Sequence, residues 1–302
     1  MALKDIKAKI QATKRMNTVT RAMEAVSAVK MRKTQAAAFA GRAYARAALS
    51  ILARLSGSAE VKSHPLTIAR PVKKTALVVI TSDKGLAGAL SSSVIKLALR
   101  AIEGRAKDSI SIFAYGRKGD EFFSRRDYTI AKAYENKTDD VPISVMQELS
   151  EELSAGFLAG EYDEVLAVYS NFRSTFEQIP TLRKVLPLSV DGISELVRDI
   201  QPAKGKWSDE VLLASPTSYD VEPSADEVLR VLIPRLVAVS LYYMLLEAKA
   251  SEHSARMVAM KNASDKSKEV TKTLTRQYNK VRQAAITREV SEIVSGREAL
   301  AT

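Results

Sequence analysis

Two long segments without helix breakers, one at each end of the chain, constrain the fold most. Residues 3–56 contain no proline and one glycine, Gly41, and residues 235–295 contain neither over 61 positions. At 1.5 Å per residue, helices of these lengths extend roughly 75 and 90 Å, which is longer than a compact domain of this size is wide. We therefore expect the two helices to pair antiparallel as a long coiled coil, each covering the narrow apolar stripe of the other.

Apolar or small residues at three- and four-residue spacings predict the seam of this coiled coil. In the first segment they are Leu3, Ile6, Ile10, Thr13, Met16, Val19, Met23 and Val26, and in the second Leu274, Tyr278, Val281, Ala285, Ile286, Val290 and Ile293. The second helix is expected to begin at a capping box, Ser224 to Glu227, and to kink at Pro234. The alternative is two separate amphipathic helices on a globular core, which the segment lengths disfavour.

The middle of the chain alternates apolar runs of strand length with helical runs. Strands are predicted at 75–81, 109–116 and 163–172, and helices at 90–106 and 143–162. This alternation predicts a mainly parallel sheet covered by helices, a Rossmann-like α/β domain inserted between the two long helices. Residues 177–188 contain two prolines and predict an edge strand, and the many turn formers in 189–223 predict a long connection.

These patterns divide the chain into four parts. They are an N-terminal coiled-coil helix at 1–57, an α/β domain at 70–190, a long connection at 191–223 and a C-terminal coiled-coil helix at 224–302. The chain has no cysteine, which excludes disulfides and thiolate metal sites. No apolar run approaches the roughly 20 residues of a membrane span, and the N-terminus is unlike a signal peptide, so a cytoplasmic protein is expected.

The net charge of +11 is concentrated at the two ends. Residues 1–54 hold 12 Lys and Arg against 2 acidic residues, and residues 235–302 hold 12 against 7. The stretch between them holds 22 against 26 and is net negative. Basic ends indicate a nucleic acid, an anionic surface or an acidic protein as partner.

One motif suggests a phosphate site. The segment TSDKGLAGA at 81–89 follows a predicted strand and opens a helix, but it matches neither the dinucleotide-binding nor the P-loop pattern. A strand-to-helix turn that uses glycine for a tight bend and close packing is the favoured interpretation. Asp83 is expected to bond turn backbone. With two histidines and no nucleophile elbow, we expect no metal site and no catalytic centre.

Two classes of function then stay open. One is a structural or mechanical coiled-coil protein whose exposed helix faces contact protein partners. The other is a basic coiled-coil protein that binds nucleic acid or acts as a scaffold, although its Lys and Arg residues are scattered among acidic ones with few aromatics. Salt-dependent retention of DNA would separate the two.

Three stretches resemble the gamma subunit of the F-type ATP synthase: 5–35, 81–90 and 250–296, the last containing ASEHSARMVAMKNASD and YNKVRQAAITREVSEIVSG. The resemblance implies the central rotor shaft of a rotary ATP synthase, turning inside a hexamer of three alpha and three beta subunits. It also implies contact with the epsilon subunit and the ring of c subunits, and no nucleic-acid partner. Nucleotides and magnesium would bind to alpha and beta, with no cofactor on this chain.

The resemblance also implies site residues. Met23 matches a methionine that faces an acidic beta-subunit loop, and Arg282 and Gln283 match a pair that contacts another beta-subunit loop. Thr287, Glu289 and Glu292 match polar positions in the family that affect the coupling of rotation to catalysis. Lys30, Arg32 and Lys33 match a foot region near the c-ring. A polar shaft surface without an apolar patch is expected to suit rotation in a sleeve.

The resemblance also implies a location for the chain, and one residue departs from the family pattern. The complex would place this chain peripherally on the cytoplasmic face of a bacterial inner membrane, as a non-catalytic subunit of a proton-transporting two-sector ATPase. Arg288 departs from the family pattern and adds a positive charge among the predicted contact residues.

Overall fold

The computed structural model describes residues 3–55, 64–138, 143–189 and 224–301. In chain order the elements are α1 Leu3–Leu55, β1 Thr75–Ile80, α2 Leu90–Ala101, a 3-10 turn Lys107–Ser109, β2 Ile110–Tyr115, α3 Arg117–Ser124, β3 Thr129–Tyr134, α4 Ile143–Leu158, β4 Glu164–Ser174, β5 Glu177–Leu186 and α5 Ala225–Ala301. The chain divides into two compact units, residues 1–26 with 257–302, and residues 27–256. The first unit is made of helix alone, and the second contains the sheet.

In the first unit, α1 and α5 pair antiparallel, as predicted, through a seam rich in small and polar residues. Its buried or partly buried members are Leu3, Ile6, Ile10, Thr13, Asn17 and Thr20 on α1, and Met260, Ser264, Ser267, Thr271, Leu274, Tyr278 and Val281 on α5. Asn17 Nδ2 donates to the Ser264 carbonyl oxygen at 2.7 Å and contacts Ser264 Oγ at 2.9 Å. This pair fixes the register of the two helices.

The predicted seam is wrong on α1 at Met16, Val19 and Val26, whereas Met23 is partly buried. Met16, Val19 and Val26 are 58%, 57% and 53% exposed, whereas Asn17 and Thr20 turn inward. The polar residues can be buried because they are hydrogen-bonded: Thr20 Oγ1 donates to the Met16 carbonyl oxygen of its own helix at 3.0 Å. Small side chains also let the two backbones approach closely.

In the second unit, a five-stranded sheet has the order β3-β2-β1-β4-β5. Strands β1 to β4 are parallel, and β5 runs antiparallel to β4. Every residue of the central strand β1 is buried, because apolar clusters cover both faces of the sheet. This confirms the predicted Rossmann-like α/β domain.

The predicted elements of this unit match the structure to within a few residues, except at one sheet edge. Residues 117–124 and 129–134 form a helix and a strand that the sequence analysis missed. The strand lies at the edge of the sheet and its residues alternate between exposed and partly buried, so it lacks the apolar run of a buried strand. The opposite edge is β5, as predicted. The connection at 191–223 lies outside the described residues.

Helix α5 begins where the capping box predicts. The Glu227 amide donates to Ser224 Oγ at 3.2 Å, and the helix continues through Pro234 to Ala301. Residues 227–297 contain an 18-residue window with a mean hydropathy of 1.7, long and apolar enough to cross a membrane. Half of that window is buried inside the protein, which is typical of a core helix. The prediction that no apolar run approaches the length of a membrane span is therefore wrong, because this window is long and apolar enough.

Candidate functional site

The last part of α5 is exposed on every side. All side chains described from 282 to 297 are exposed. Counting along both helices from the Asn17–Ser264 contact at equal rise places Leu3, where the described part of α1 begins, opposite Tyr278. The stretch 282–297, called here the distal stretch, therefore extends past the described end of α1. It is roughly 24 Å long at 1.5 Å per residue.

The distal stretch contains five of the six predicted beta-subunit contact residues, all exposed: Arg282, Gln283, Thr287, Glu289 and Glu292. At about 100° per residue they do not share one face. Arg282 and Glu289 lie on one side of the helix, and Gln283 and Thr287 on another. The sixth residue, Met23, is partly buried on α1. One helix segment thus presents polar side chains in several directions.

An apolar stripe lies between these polar groups. Its residues Ile286, Val290, Ile293 and Val294 are 51%, 53%, 71% and 50% exposed and follow the spacing i, i+4, i+7, i+8 of one helix face. The sequence analysis assigned three of them to the coiled-coil seam, which is wrong because the described part of α1 ends opposite Tyr278. We call these four residues the distal stripe.

Helix α1 exposes a second apolar face. Met16, Val19 and Val26 are exposed, and Met23 lies on the same face at the spacing i, i+3, i+7, i+10. The expectation of a shaft surface without apolar patches is therefore not met. Exposed contiguous apolar side chains on a soluble protein indicate a surface that contacts other molecules.

Arg288 interacts with a predicted contact residue. Its Nε donates to Glu292 Oε1 at 2.8 Å, one helical turn away, with the two side chains 82% and 63% exposed. A pair this exposed contributes only about 0–1 kcal/mol, so water and partner groups compete easily for both side chains. The added positive charge is partly balanced within the helix.

The predicted foot residues lie on α1 in the second unit. Arg32 and Lys33 are exposed and Lys30 is partly buried. On this part of α1, Ser27, Met31, Thr34 and Ala38 are buried. At about 100° per residue, Arg32 and Lys33 face away from this buried side of the helix, and Lys30 lies beside it.

The motif at 81–89 stands at the carboxyl end of β1, where open α/β sheets usually bind ligands. Here residues Glu247–Arg256 of α5 occupy that crevice. The cavity left beside Thr81, Ser82, Asn136 and Glu252 has a volume of about 10 Å³. Sites for small molecules are typically 300–1,000 Å³. A nucleotide therefore does not fit at this position.

Within the motif, Gly88 adopts a φ of 59°, but a Cβ at Gly85 or Gly88 would meet no atom within 4 Å. The predicted tight bend is confirmed, but the predicted close packing at these glycines is wrong. Asp83 bonds backbone as predicted, since Oδ1 accepts from the Arg117 amide at 2.7 Å and Oδ2 from the Asn136 amide at 2.9 Å.

Tyr115, at the carboxyl end of β2, is a titratable group near the crevice with a shifted pKa. Burial raises the pKa of Tyr115 to about 12, with a smaller contribution from the Asp83 carboxylate, so this phenol stays protonated at neutral pH. Among the residues that the structure describes, no group of three or more His, Asp or Glu side chains is placed to hold a metal ion.

Comparison with known proteins gives a consistent result over the full chain. The family model described as ATP synthase matches residues 2–300. The chain is 42% identical to the ATP synthase gamma chain of Roseiflexus castenholzii over 99% of this chain and 98% of the relative. It is 37% identical to the ATP synthase gamma chain of Moorella thermoacetica, over 99% of each chain.

Two solved structures have the same fold. A chain of the central stalk and c-ring of the Tetrahymena thermophila mitochondrial ATP synthase matches with a TM-score of 0.61 at 25% identity, covering 82% of this chain and 99% of that one. A chain of the Euglena gracilis mitochondrial ATP synthase matches with a TM-score of 0.65 at 18% identity, covering 99% and 94%. The chain belongs to the ATP synthase gamma chain family.

Proposed function

We propose that this chain is the central-stalk rotor subunit of a rotary ATP synthase. It couples ion flow through the membrane ring to ATP synthesis or hydrolysis at catalytic sites on alpha and beta subunits. The observation that supports this best is the distal stretch, a single helix with exposed polar and apolar side chains on all sides. A surface of this kind suits a ring of partners that surrounds the helix, rather than one partner docked on one face.

The chemistry of the distal stretch explains how contact and rotation are compatible. The distal stripe supplies non-directional apolar contact, which any apolar sleeve can accept at every angle. Arg282 and Glu289 supply exposed charges whose ion pairs, at about 0–1 kcal/mol each, exchange easily. Such a surface seals the shaft in its bearing without fixing it at one position.

The other proposed partners follow from family membership. They are three alpha and three beta subunits, the epsilon subunit and the c-subunit ring, with the foot residues Lys30, Arg32 and Lys33 near the ring. The chain would bind no cofactor of its own, because ATP, ADP and magnesium belong to alpha and beta. It forms part of a membrane-associated complex, and we place it peripherally on the cytoplasmic face of a bacterial inner membrane.

The test is reconstitution of the purified chain with alpha and beta subunits. Wild type should assemble and support ATP-driven rotation. Arg282→Ala with Gln283→Ala should lower turnover several-fold and leave assembly intact, because the substituted side chains are exposed and hold no part of the fold. Arg276→Ala, an exposed change on the paired part of α5, is the control. Failure of the wild-type chain to assemble with alpha and beta would refute the proposal.

A second measurement tests the absence of a catalytic centre on this chain. The rigorously purified chain alone should not hydrolyse ATP, because the crevice at the end of β1 is occupied by α5. Measurable ATP hydrolysis that copurifies with the chain would show that the chain has a catalytic centre of its own. The nucleic-acid alternative has no support from the comparisons.

A further inference from the structure

A stretch of α5 rich in polar and charged residues, Glu247–Arg256, is buried inside the second unit. Five of them bond to the sheet or its loops and the sixth, Glu252, bonds to Arg256. All six are at most 8% exposed: Glu247, Lys249, Ser251, Glu252, Ser254 and Arg256. We call these six residues the polar clamp. Burying so many polar groups is costly unless each is hydrogen-bonded, so their partners show what the arrangement achieves.

One face of the helix bonds to strand β4 and the turn that follows it. Glu247 accepts a hydrogen bond from the Phe172 amide at 3.0 Å. Ser251 Oγ donates to the Ser170 carbonyl oxygen at 3.0 Å, and Ser254 Oγ donates to the Thr175 carbonyl oxygen at 2.7 Å. At about 100° per residue, these three clamp residues lie within roughly 60° of one another.

The opposite face bonds to the loops after β3 and β1. Lys249 Nζ donates to the carbonyl oxygens of Asn136, at 3.1 Å, and Thr138. Arg256 donates from Nε to the Gly85 carbonyl oxygen at 3.3 Å and from Nη2 to that of Lys84 at 3.4 Å.

Glu252 holds the arginine of this second face in place. Arg256 Nη2 donates to Glu252 Oε1 at 2.6 Å, and both side chains are buried. By helical position, Lys249, Glu252 and Arg256 lie roughly 140–200° around the helix from Glu247. The helix is therefore bonded on one face to β4 and the turn after it, and on the opposite face to the loops after β3 and β1.

The two kinds of contact resist different motions. Apolar packing against the sheet is non-directional, so it opposes separation much more than rotation of the helix about its axis. Hydrogen bonds weaken steeply when bent or stretched. Rotating α5 within the crevice would strain bonds on both faces at once, and no small rotation relieves both.

We propose that the polar clamp locks the sheet to α5 against twisting, with Lys249 as the positioning residue of one face. This inference rests on the proposed rotor function, because a helix that transmits torque needs such a lock. The clamp acts on partners through the helix and touches no nucleotide. In its absence, the sheet would stay folded and attached but would lag behind the turning helix.

The experiment measures twist in the assembled alpha–beta–gamma complex. Because the chain has no cysteine, Glu103→Cys, at an exposed position after α2, gives a single attachment point for a bead on the sheet side. With the hexamer immobilised and stalled, the width of the bead's angular distribution reports compliance along the shaft. Lys249→Met should increase the variance roughly twofold, since one of two bonded faces is weakened.

Leu245→Ala is the matched control, because Leu245 is fully buried on the same helix and packs in the apolar core. It should lower the denaturation midpoint more than Lys249→Met, yet leave the angular width as in wild type. Ser251→Ala with Ser254→Ala weakens the other face and should widen the distribution.

Equal widths for wild type, Lys249→Met and the serine pair would overturn the clamp, as would widening by Leu245→Ala alone. If wild type fails to assemble or rotate, the proposed function itself is wrong. If the wild type rotates and the clamp variants have the same angular width as the wild type, only the proposed role of the polar clamp is refuted.

Discussion

Two stretches of α5 reverse the usual placement of polar and apolar residues. From Glu247 to Arg256 the helix buries charged and hydroxyl side chains, and from 282 to 297 it exposes a stripe of isoleucine and valine. The first stretch lies in a crevice lined with backbone carbonyl and amide groups that satisfy its polar atoms. The second lies beyond the described end of α1. Burial along one helix is therefore decided by what surrounds each stretch and not by its composition.

The two stretches each contain an arginine–glutamate pair one helical turn apart. Arg256 and Glu252 are joined at 2.6 Å with both side chains at most 9% exposed, whereas Arg288 and Glu292 are joined at 2.8 Å with both largely exposed. The two pairs join the same kinds of side chain but differ in exposure and in surroundings, because Arg256 also donates to the Gly85 and Lys84 carbonyl oxygens. Substitutions in and around the two stretches test this contrast.

The largest effect is expected at the crevice that holds the buried stretch. Gly116 has a φ of 107°, and a Cβ there would lie 2.0 Å from the Thr81 carbonyl oxygen. Gly116→Ala should lower the free energy of unfolding by about 4 kcal/mol or more, since backbone would have to move. Gly85→Ala is the control, because a Cβ there meets nothing within 4 Å, and its change should stay within about 0.5 kcal/mol. Denaturant unfolding of the full-length chain measures both, and similar midpoints would contradict the prediction.

Glu252→Leu tests the buried ion pair. Arg256 would lose its carboxylate partner while buried, which costs about 3–5 kcal/mol in comparable cases. Glu252→Leu combined with Arg256→Met removes both charges and should restore part of the loss. The free energy of unfolding of each variant gives the comparison. A single variant as stable as the double one would show that the buried pair is not coupled.

The distal stripe should affect binding rather than folding. Changing Ile286, Val290 and Ile293 to serine removes apolar surface that is exposed in the chain itself. Stability of the isolated chain should therefore change by less than about 1 kcal/mol. Affinity for the alpha–beta hexamer should fall by about 2 kcal/mol or more, because burial of that surface in the complex is lost. Titration against the hexamer measures this, with Arg276→Ala as control, and unchanged affinity would exclude the stripe from the contact.

The smallest effect belongs to the exposed pair. Arg288→Gln removes one charge from a solvated ion pair, so the free energy of unfolding should change by no more than about 0.5 kcal/mol. Denaturant unfolding at low and high salt checks this, because screening should erase even that difference. If Arg288→Gln lowered the free energy of unfolding as much as Glu252→Leu, exposure would not explain the difference between the two ion pairs.

Periodicity predicted where helices lie more accurately than which of their faces pack. On α1 the apolar spacing predicted Met16 and Val19 as seam positions. The structure instead buries Thr20 and partly buries Asn17, because Asn17 bonds Ser264 and Thr20 bonds its own helix. Hydrogen bonds across a seam depend on the partner helix, which a spacing pattern on one helix does not contain.

The two long helices, the capped start of α5, the apolar central strands and the family can all be predicted from the sequence. These depend on local propensity, on the absence of proline and glycine, and on long motifs that carry their own signal. The burial of ASEHSAR at 250–256 and the exposure of Ile286, Val290 and Ile293 become apparent only in the folded structure. The reason is that burial requires partners from distant parts of the chain: loops after β1, β3 and β4 surround the polar stretch, and the described part of α1 ends before the apolar one.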